Sequence, residues 1–400
     1  MLGILRLIPL MLVGVVEAGG FDNTGRPFGI IFDGENRQRE VRWAMAHIAP
    51  DLSMQLRQSS ATSGNEIALS GIVPQYENRE WALRWNTSES TRCALRAEQP
   101  FRADVHYPDD TLSYRTTGGQ TAVAPVASRY NSESLSFACR LDISMNEWKW
   151  SIFAGPKHQK VSGYFSTDLS ENEAGDADNL EVWLNGGSEW GALAGFALER
   201  PDIAFRWHII YHNEIDYTLT GRSLTPTGIP NTPRIAASAN SATRTPQSVH
   251  LGLQSGIAAD WLAYAEFKWS EWSRVDEILV SDGVANPRLA LYANDTLDVD
   301  IGLIHRLNAD WRVGLSYATG LKLGSESLPQ GADSKNLRDP QGKRHALSVG
   351  AKYWSHETLA IDLLLTGVYL ESKRIIEDHF DARIESTVLP AFKLGISWHP

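Results

Sequence analysis

Five basic residues stand at polar positions of segments in which every second residue is apolar. Cations placed in this way inside a protein can hold an anionic group such as a carboxylate. The five residues are Arg96, Arg206, Lys268, Arg306 and Lys352. Acidic residues such as Glu98, Glu266, Asp298, Asp300 and Asp362 stand in the same segments or in neighbouring ones. Two interpretations therefore stay open, a ligand anchor or an ordinary ion pair, and we take Arg96, Arg206 and Lys268 as ligand-binding candidates.

Histidine and serine offer a different chemistry. His208 and His212 are four residues apart, which is roughly 13 Å along a strand and too far for the two alone to hold one metal ion. We expect hydrogen bonding from them and predict no metal and no cofactor. The 11 histidines and several serines also permit a lipid-modifying enzyme. No Gly-x-Ser-x-Gly nucleophile turn supports this alternative, so the sequence favours a protein that is not an enzyme.

The N-terminal residues predict export. Arg6 precedes an apolar run from Leu7 to Val16, and the small residue Ala18 follows before Gly19. This order is typical of a secretory signal peptide, so we predict a signal peptide over residues 1–18 with cleavage after Ala18. No later run approaches the roughly 20 apolar residues that a transmembrane helix needs. The exported chain is therefore expected to be either soluble or a β-barrel.

Strict alternation of apolar and polar residues distinguishes these possibilities. In the segment 297–307, for example, Leu297, Val299 and Ile301 are separated by Asp298 and Asp300. The segments that begin at residues 203, 249 and 261 alternate in the same way. The residues between the apolar ones are Gly, Ser, Ala, His and paired charges, which suit the crowded polar interior of a membrane barrel better than a solvated sheet face.

Tryptophans beside short turns support the barrel. Trp148, Trp261 and Trp311 each follow a short turn directly, as expected for an aromatic girdle at a membrane interface. About 14 strands lie between the turns, near 39–48, 77–85, 91–99, 131–141, 148–165, 188–198, 203–217, 246–257, 261–273, 292–307, 311–321, 343–354, 358–371 and 385–398. Short and long connections alternate. The predicted fold class is all-β, a transmembrane antiparallel β-barrel of about 14 strands over residues 39–400, located in the bacterial outer membrane as a multi-pass protein.

Residues 19–38 precede the first predicted strand and are too few for a domain. Phe21, Phe28, Ile31 and Phe32 make this segment strongly apolar, and we take them as further ligand-binding candidates. Because such a tail would be poorly placed in water, we predict that residues 19–38 form a hatch that plugs the barrel lumen.

The two cysteines, Cys93 and Cys139, fall at lipid-facing positions of neighbouring strands and at similar height. A disulfide is possible in an oxidising compartment. Opposed cross-strand Cβ atoms are about 4.5–5.5 Å apart, however, and a disulfide prefers roughly 3.8 Å. We therefore expect two thiols packed against acyl chains.

The formal net charge is −11, and no Lys/Arg-rich run is present, which argues against a nucleic-acid partner. The acidic stretch 168–181 permits divalent cations that bridge lipopolysaccharide, although a solvated loop is the simpler interpretation. A monomer in contact with outer-membrane lipid and lipopolysaccharide is expected.

Four stretches of the sequence resemble the FadL/TodX family of outer-membrane transporters for long-chain fatty acids and other hydrophobic compounds. They are "FDNTGRPFGIIFDGEN" from residue 21, "AEQPFRADVHYP" from residue 97, "WSIFAGPKHQKVSG" from residue 150 and "TPQSVHLGLQSGIAADWLAYAEFKWSEWS" from residue 245. The last is the most specific, through Pro246, Gln247, Ser248, Gly252, Trp269 and Trp272.

This resemblance implies a 14-stranded barrel closed by a hatch, with capture of substrate at an outer groove, a lumen site and lateral release where the third strand is kinked. It makes Gln99, Pro100, Phe101 and Arg102 candidates for the lateral opening, and a proline that only turns the chain into an outer loop is the alternative for Pro100. Arg102 departs from the family, which usually has Gly at this position. We expect passive uptake of hydrophobic molecules, such as long-chain fatty acids or hydrocarbons. A porin-like channel for small polar solutes is the alternative, and an enzyme is a more remote one.

Overall fold

The computed structural model describes residues 28–32, 38–58, 66–107, 124–168, 179–227, 232–275, 277–290, 294–324, 328–377 and 380–400. The predicted signal peptide, Phe21 and most of the predicted hatch lie outside these ranges. The strands within them are β1 (Arg39–Ile48), β2 (Ser53–Gln58), β3 (Glu66–Ser70), β4 (Tyr76–Asn86), β5 (Thr91–Glu98), β6 (Arg102–His106), β7 (Ala124–Met145), β8 (Trp148–Asp168), β9 (Asn179–Arg200), β10 (Phe205–His212), β11 (Ile215–Thr225), β12 (Ile235–Thr245), β13 (Ser248–Ala258), β14 (Trp261–Ser270), β15 (Glu277–Ser281), β16 (Arg288–Ala290), β17 (Asp295–Arg306), β18 (Trp311–Leu323), β19 (Arg344–His356), β20 (Leu359–Leu370), β21 (Lys373–Glu377), β22 (Phe380–Ile384) and β23 (Thr387–Trp398). Three short 3-10 helices cover Gly29–Phe32, Pro201–Ile203 and Trp272–Arg274.

The strands close into an antiparallel barrel because β1 pairs with β4 on one side and with β23 on the other. Nine wall strands are continuous. The other five each consist of two consecutive strands, namely β5 with β6, β10 with β11, β12 with β13, β14 with β15 and β16 with β17. The predicted all-β barrel of 14 strands is therefore confirmed. β7 and β9 begin several residues earlier than predicted, since their outer halves continue the ladders beyond the membrane.

The outward face of the wall is apolar and exposed. On β20, Leu363 and Leu365 are 47% and 59% exposed, whereas Asp362 and Leu364 are buried on the inward side. Trp261 and Trp311 are also exposed and each follows a short turn, as the sequence predicts. Trp148 follows a short turn as well but is only partly exposed, and the exposed Trp398 stands near the C-terminus. Such a surface is stable against lipid rather than water, so the barrel spans a membrane. No helix within the described ranges is long and apolar enough to cross a bilayer.

A second sheet caps the outer end of the barrel and was not predicted. It has the strand order β21-β22-β2-β3, and we call it the cap sheet. Its inner face buries Met54, Leu56, Ile375 and Phe380. These strands have only five or six residues and lie within long connections between wall strands. The alternation of apolar and polar residues is too short in them to distinguish a strand from an irregular loop.

An ion-pair cluster joins the cap sheet to the segment 328–343. Lys373 Nζ donates to the Asp339 main-chain oxygen at 2.5 Å and lies 3.3 Å from Asp339 Oδ2. Lys322 Nζ also donates to Oδ2, at 3.1 Å. Burial disfavours ionisation of Asp339, but the two ammonium groups outweigh it and hold the pKa of Asp339 well below its usual value. Burial lowers the pKa of Lys373 to about 8, although Asp339 opposes this shift.

The expectation of two free thiols is wrong, because Cys93 and Cys139 form a disulfide. The two residues are direct partners in the β5–β7 ladder, and their Cα atoms are 4.0 Å apart. Opposed residues that do not exchange main-chain hydrogen bonds approach more closely than the average cross-strand pair, which brings the two sulfur atoms within bonding range.

Candidate functional site

The third wall strand is broken at the predicted position. β5 ends at Glu98 and β6 begins at Arg102, while the neighbouring β7 continues without interruption. Glu98 pairs with Ser134 and Arg102 pairs with Asn131, so three residues of the third strand face two of β7. Pro100 occupies the middle of this bulge because proline supplies no ladder donor.

Ser132 secures the bulge. Its hydroxyl oxygen accepts a hydrogen bond from the Phe101 main-chain N–H at 2.8 Å, and its own main-chain N–H donates to the Phe101 carbonyl at 2.9 Å. The break is therefore held on the β7 side, and any opening must occur on the side of β4.

The ladder on the β4 side is incomplete. β4 and β5 pair only as far as Trp81 and Ala97. The residues Tyr76–Glu80 of β4 pair with β1, and no ladder joins them to β6 within the described part of the chain. We call this unpaired interval between Tyr76–Glu80 and β6 the wall gap. A single main-chain hydrogen bond, from His106 N–H to the Ile72 carbonyl at 2.8 Å, borders it on the outer side.

Arg102 fills the wall gap. Its guanidinium lies 5.1 Å from the centre of the Tyr76 ring and donates to the Glu77 carbonyl at 3.4 Å. Its Nε is buried and has no hydrogen-bond partner among the described residues, and none of their carboxylates pairs with this side chain. The gap is thus closed by side chains instead of main-chain hydrogen bonds.

Phe101 turns its side chain toward the lumen. Its ring meets the ring of Trp272 edge to face, with 5.5 Å between the centroids, and Lys157 Nζ lies 5.9 Å from the ring centre. The two aromatic residues belong to an interior apolar cluster formed mainly by the outer halves of the wall strands, which includes Phe165, Leu180, Val182, Leu219 and Val280. Apolar surface therefore leads from the outer end of the barrel to the break.

A small polar cavity of about 20 Å³ lies beside Phe101, and we call it the lumen cavity. That volume holds about one water molecule. Its walls include Arg96, Glu98, Phe101, Lys157, His212, His250 and Lys268. Arg96 pairs with Glu80 at 3.1 Å and with Glu98 at 2.8 Å, and Lys268 lies 4.0 Å from Asp298. Arg96 and Lys268 thus share one cavity. Each faces the cavity, as a ligand anchor would, and each also has a carboxylate partner, as in an ordinary ion pair.

Arg206 lies elsewhere, against the described part of the predicted hatch. Its Nη2 donates to the Phe32 carbonyl at 3.0 Å, and its Nε pairs with Glu199 at 2.6 Å. The Phe32 ring lies between Arg206 and Arg140, about 5 Å from each guanidinium, and meets Phe153 edge to face.

Phe28, Ile31 and Phe32 are all buried in one apolar cluster. Their partners there come from the inward faces of wall strands and include Ala82, Ala94, Ala138, Phe153 and Ile210. Small residues on the wall strands leave room for these rings in the lumen. Residues 28–32 therefore occupy the interior of the barrel near its inner end, while the rest of the predicted hatch lies outside the described residues except Gln38.

The sequence did not point to Tyr76, Lys157 or Ser132. Tyr76 and Ser132 lie at strand positions with nothing unusual in their neighbours, and their roles arise only because β4 and β7 flank the break. Trp272 belongs to the stretch with the most specific family resemblance, but only the fold brings it to Phe101.

Three solved structures share this fold with the chain. The crystal structure of a Pseudomonas aeruginosa FadL homologue aligns with a TM-score of 0.71 at 14% identity, over 98% of this chain and 100% of that one. The Ralstonia pickettii toluene transporter TbuX aligns with a TM-score of 0.59 at 13% identity, over 100% of both chains. CymD, a monoaromatic hydrocarbon channel, aligns with a TM-score of 0.60 at 13% identity, over 98% of this chain and 99% of that one. No family model matches the sequence, and no curated protein matches it. The chain thus has the fold of the FadL and TodX channels.

Proposed function

We propose that this protein takes up hydrophobic molecules passively across the outer membrane and releases them sideways through the wall gap. The observation that carries the proposal is that the interval between Tyr76–Glu80 and β6 has no ladder and is filled by Arg102. Side-chain contacts of this kind contribute about 0.5–2 kcal/mol each, whereas opening a paired wall would break several main-chain hydrogen bonds at once. The gap is therefore a less costly exit into the bilayer than a fully paired part of the wall.

The interior supports a route that ends at this gap. The apolar cluster around Phe101 and Trp272 gives a hydrophobic substrate a surface on which to leave water, worth about 0.8 kcal/mol for each buried CH₂. The lumen cavity of about 20 Å³ is far too small for an acyl chain or an aromatic ring, so Phe101 has to move before a substrate can pass. Residues 28–32 pack inside the lumen near the inner end, which supports the wall rather than this end as the way out.

The charges favour a substrate with a carboxylate, such as a fatty acid, over a neutral hydrocarbon. Arg96, Lys157 and Lys268 face the lumen cavity, and Arg102 stands in the exit without a carboxylate partner among the described residues. A carboxylate that passes from the cavity to the gap would meet a cation at both places. Proteins with this fold include a toluene transporter and a monoaromatic hydrocarbon channel, so uptake of fatty acids should be compared with uptake of neutral aromatic compounds.

Substitution of Pro100 by Thr tests the lateral route. Threonine restores a main-chain donor and favours strand structure, so the break should straighten and the gap should narrow. We expect uptake of a labelled long-chain fatty acid by cells that lack their own channel to fall at least fivefold. Pro390→Thr is the matched control, because Pro390 lies in the continuous strand β23 with its side chain exposed on the outer face.

Both variants must first show the heat-dependent gel shift of a folded barrel, with the folded mobility before heating and the unfolded mobility after it. Unchanged uptake by a folded Pro100→Thr variant would refute the lateral route. A conductance of small ions by the wild-type protein in planar bilayers, without uptake of hydrophobic compounds, would support the porin alternative instead.

A further inference from the structure

We propose that the outer face of β6–β9 binds a sugar unit of the lipopolysaccharide that surrounds the barrel. A cavity of about 250 Å³ lies on this face, and we call it the outer-wall cavity. It is separate from the lumen cavity and shares no residue with it. Its lining includes Asp104, His106, Arg129, Tyr164, Ser166 and Glu181.

The ladders place this cavity on the outside of the barrel. Asp104, Arg129 and Tyr164 are direct partners in one row across β6, β7 and β8, and His106, Ala127 and Ser166 form the next row. Alternate residues of the same strands, Val105 and Phe165, belong to the interior apolar clusters. Since successive side chains of a strand point to opposite faces, the two rows face outward.

The cavity lies beyond the bilayer. On β8 the exposed Trp150 stands at the inner interface, and His158, which contacts the exposed Trp190, stands at the outer one. Tyr164 and Ser166 follow His158 by six and eight residues, or roughly 20–26 Å along the strand. For strands tilted by about 40°, the cavity lies roughly 15–20 Å above the outer interface, at the level of the lipopolysaccharide sugars.

The polar groups of the cavity balance in charge. Asp104 Oδ2 accepts a hydrogen bond from Arg129 Nε at 3.0 Å, and Glu181 Oε2 pairs with Arg234 Nη1 at 3.0 Å. The Tyr164 hydroxyl donates to Glu181 Oε1 at 3.4 Å. Each carboxylate is thus paired with a guanidinium group, that of Arg129 in the cavity lining and that of Arg234, which does not line the cavity. This balance disfavours a phosphate, and the polarity disfavours an acyl chain.

One buried hydroxyl in the cavity still needs a partner. Ser166 is 1% exposed, and its Oγ has no hydrogen-bond partner among the described residues. A buried hydroxyl without a partner costs about 1–3 kcal/mol, so it favours a bound molecule that both donates and accepts hydrogen bonds. A hexose does both with every hydroxyl group.

The aromatic side chains complete the match to a sugar ring. Tyr164 packs against Trp183, with 5.5 Å between the ring centroids, and both stand on the outward face beside the polar groups. The C–H face of a pyranose can pack on such rings while its hydroxyl groups reach the carboxylates. The volume of about 250 Å³ is below the 300–1,000 Å³ of sites for drug-sized ligands and suits one or two sugar units.

Binding of free core oligosaccharide, released from lipopolysaccharide by mild acid, tests the proposal. The full-length protein in detergent is titrated by calorimetry. We expect Ser166→Leu, which fills the cavity, to weaken binding at least tenfold. Ser162→Leu is the matched control, because Ser162 lies on the same face of β8 four residues away and does not line the cavity. Asp104→Asn is a second variant if Ser166→Leu fails to fold.

A second experiment, with intact lipopolysaccharide, distinguishes between two natural ligands: the lipopolysaccharide of the membrane and a free sugar. Wild-type protein purified from cells with complete core oligosaccharide should retain more lipopolysaccharide than protein from cells whose core is truncated, and Ser166→Leu should abolish this difference. The proposal would be overturned if the wild type did not bind the oligosaccharide. It would also be overturned if Ser166→Leu and Asp104→Asn both bound it as tightly as the wild type does. Equal retention of complete and truncated lipopolysaccharide would overturn it as well.

Discussion

Removal of the Cys93–Cys139 disulfide should destabilise the barrel strongly. The bond joins residues 46 positions apart and closes a covalent loop that includes β6 and the outer half of β7. Closing a loop of this length in the unfolded chain costs conformational entropy equivalent to about 4 kcal/mol in the chain-entropy account of disulfides. A loss of about 4 kcal/mol changes the folding equilibrium roughly a thousandfold. We therefore expect the Cys93→Ala/Cys139→Ala variant to unfold at a clearly lower urea concentration than the oxidised wild type.

Folding in detergent can be followed by the mobility of unheated samples on gels and by tryptophan fluorescence. Reductant should lower the unfolding midpoint of the wild type if it reaches the bond, and it should leave the double variant unchanged, which is the control. Thiol labelling of denatured, unreduced wild type should give no gel shift. A shift without reductant, or a loss below about 1 kcal/mol in the double variant, would refute the assignment of a stabilising disulfide.

Three further predictions concern the hatch, the cap sheet and the wall gap. Deletion of residues 20–32 should raise ion conductance in planar bilayers, since Phe28, Ile31 and Phe32 occupy the lumen, and unchanged conductance would rule out their role as a plug. Asp339→Asn should make the cap sheet more sensitive to protease at pH 7, because the carboxylate that holds Lys322 and Lys373 is lost. The folded-state pKa of Asp339 is lowered. The stabilising effect of the Asp339 carboxylate is therefore complete above the usual pKa of an aspartate and is lost as the pH falls through the lower, folded-state pKa. Equal protease sensitivity of the variant and the wild type at pH 7 would contradict this role of Asp339. Arg102→Gly should open the wall gap, speed uptake of toluene at least twofold and weaken any preference for fatty acids over toluene. Arg79→Gly is the control, because Arg79 is an exposed neighbour that pairs with Glu77, and it should change neither the uptake rate nor the preference.

The sequence contains enough information for the wall of the barrel. Alternation with a period of two depends only on which residues can face lipid, and it recurs in several wall strands, so residues such as Leu297, Val299 and Ile301 reveal both the strand and its outward face. The short turns are also visible in the sequence, because tryptophans stand beside several of them at the membrane interface. The break at Pro100 was also visible, because proline cannot donate to a ladder wherever it stands.

Contacts between distant parts of the chain could not be derived in the same way. The cap sheet combines β2 and β3 with β21 and β22, more than 300 residues away, and its short strands carry no pattern that names their partners. The sequence placed Cys93 and Cys139 at similar height on neighbouring strands but did not fix the exact register of β5 against β7. A shift of one residue would separate Cys93 from Cys139, so average cross-strand distances gave the wrong expectation of free thiols.

The sequence by itself determined the fold class, the number of strands and the position of the break, because each follows from local rules of burial and hydrogen bonding. Only the tertiary structure decided what surrounds the break. It showed that β4 does not pair with β6, that Arg102 and Tyr76 fill the interval, and that Arg206 holds Phe32 instead of facing the lumen cavity. These features depend on which strands meet when the barrel closes, and closure is a property of the whole chain.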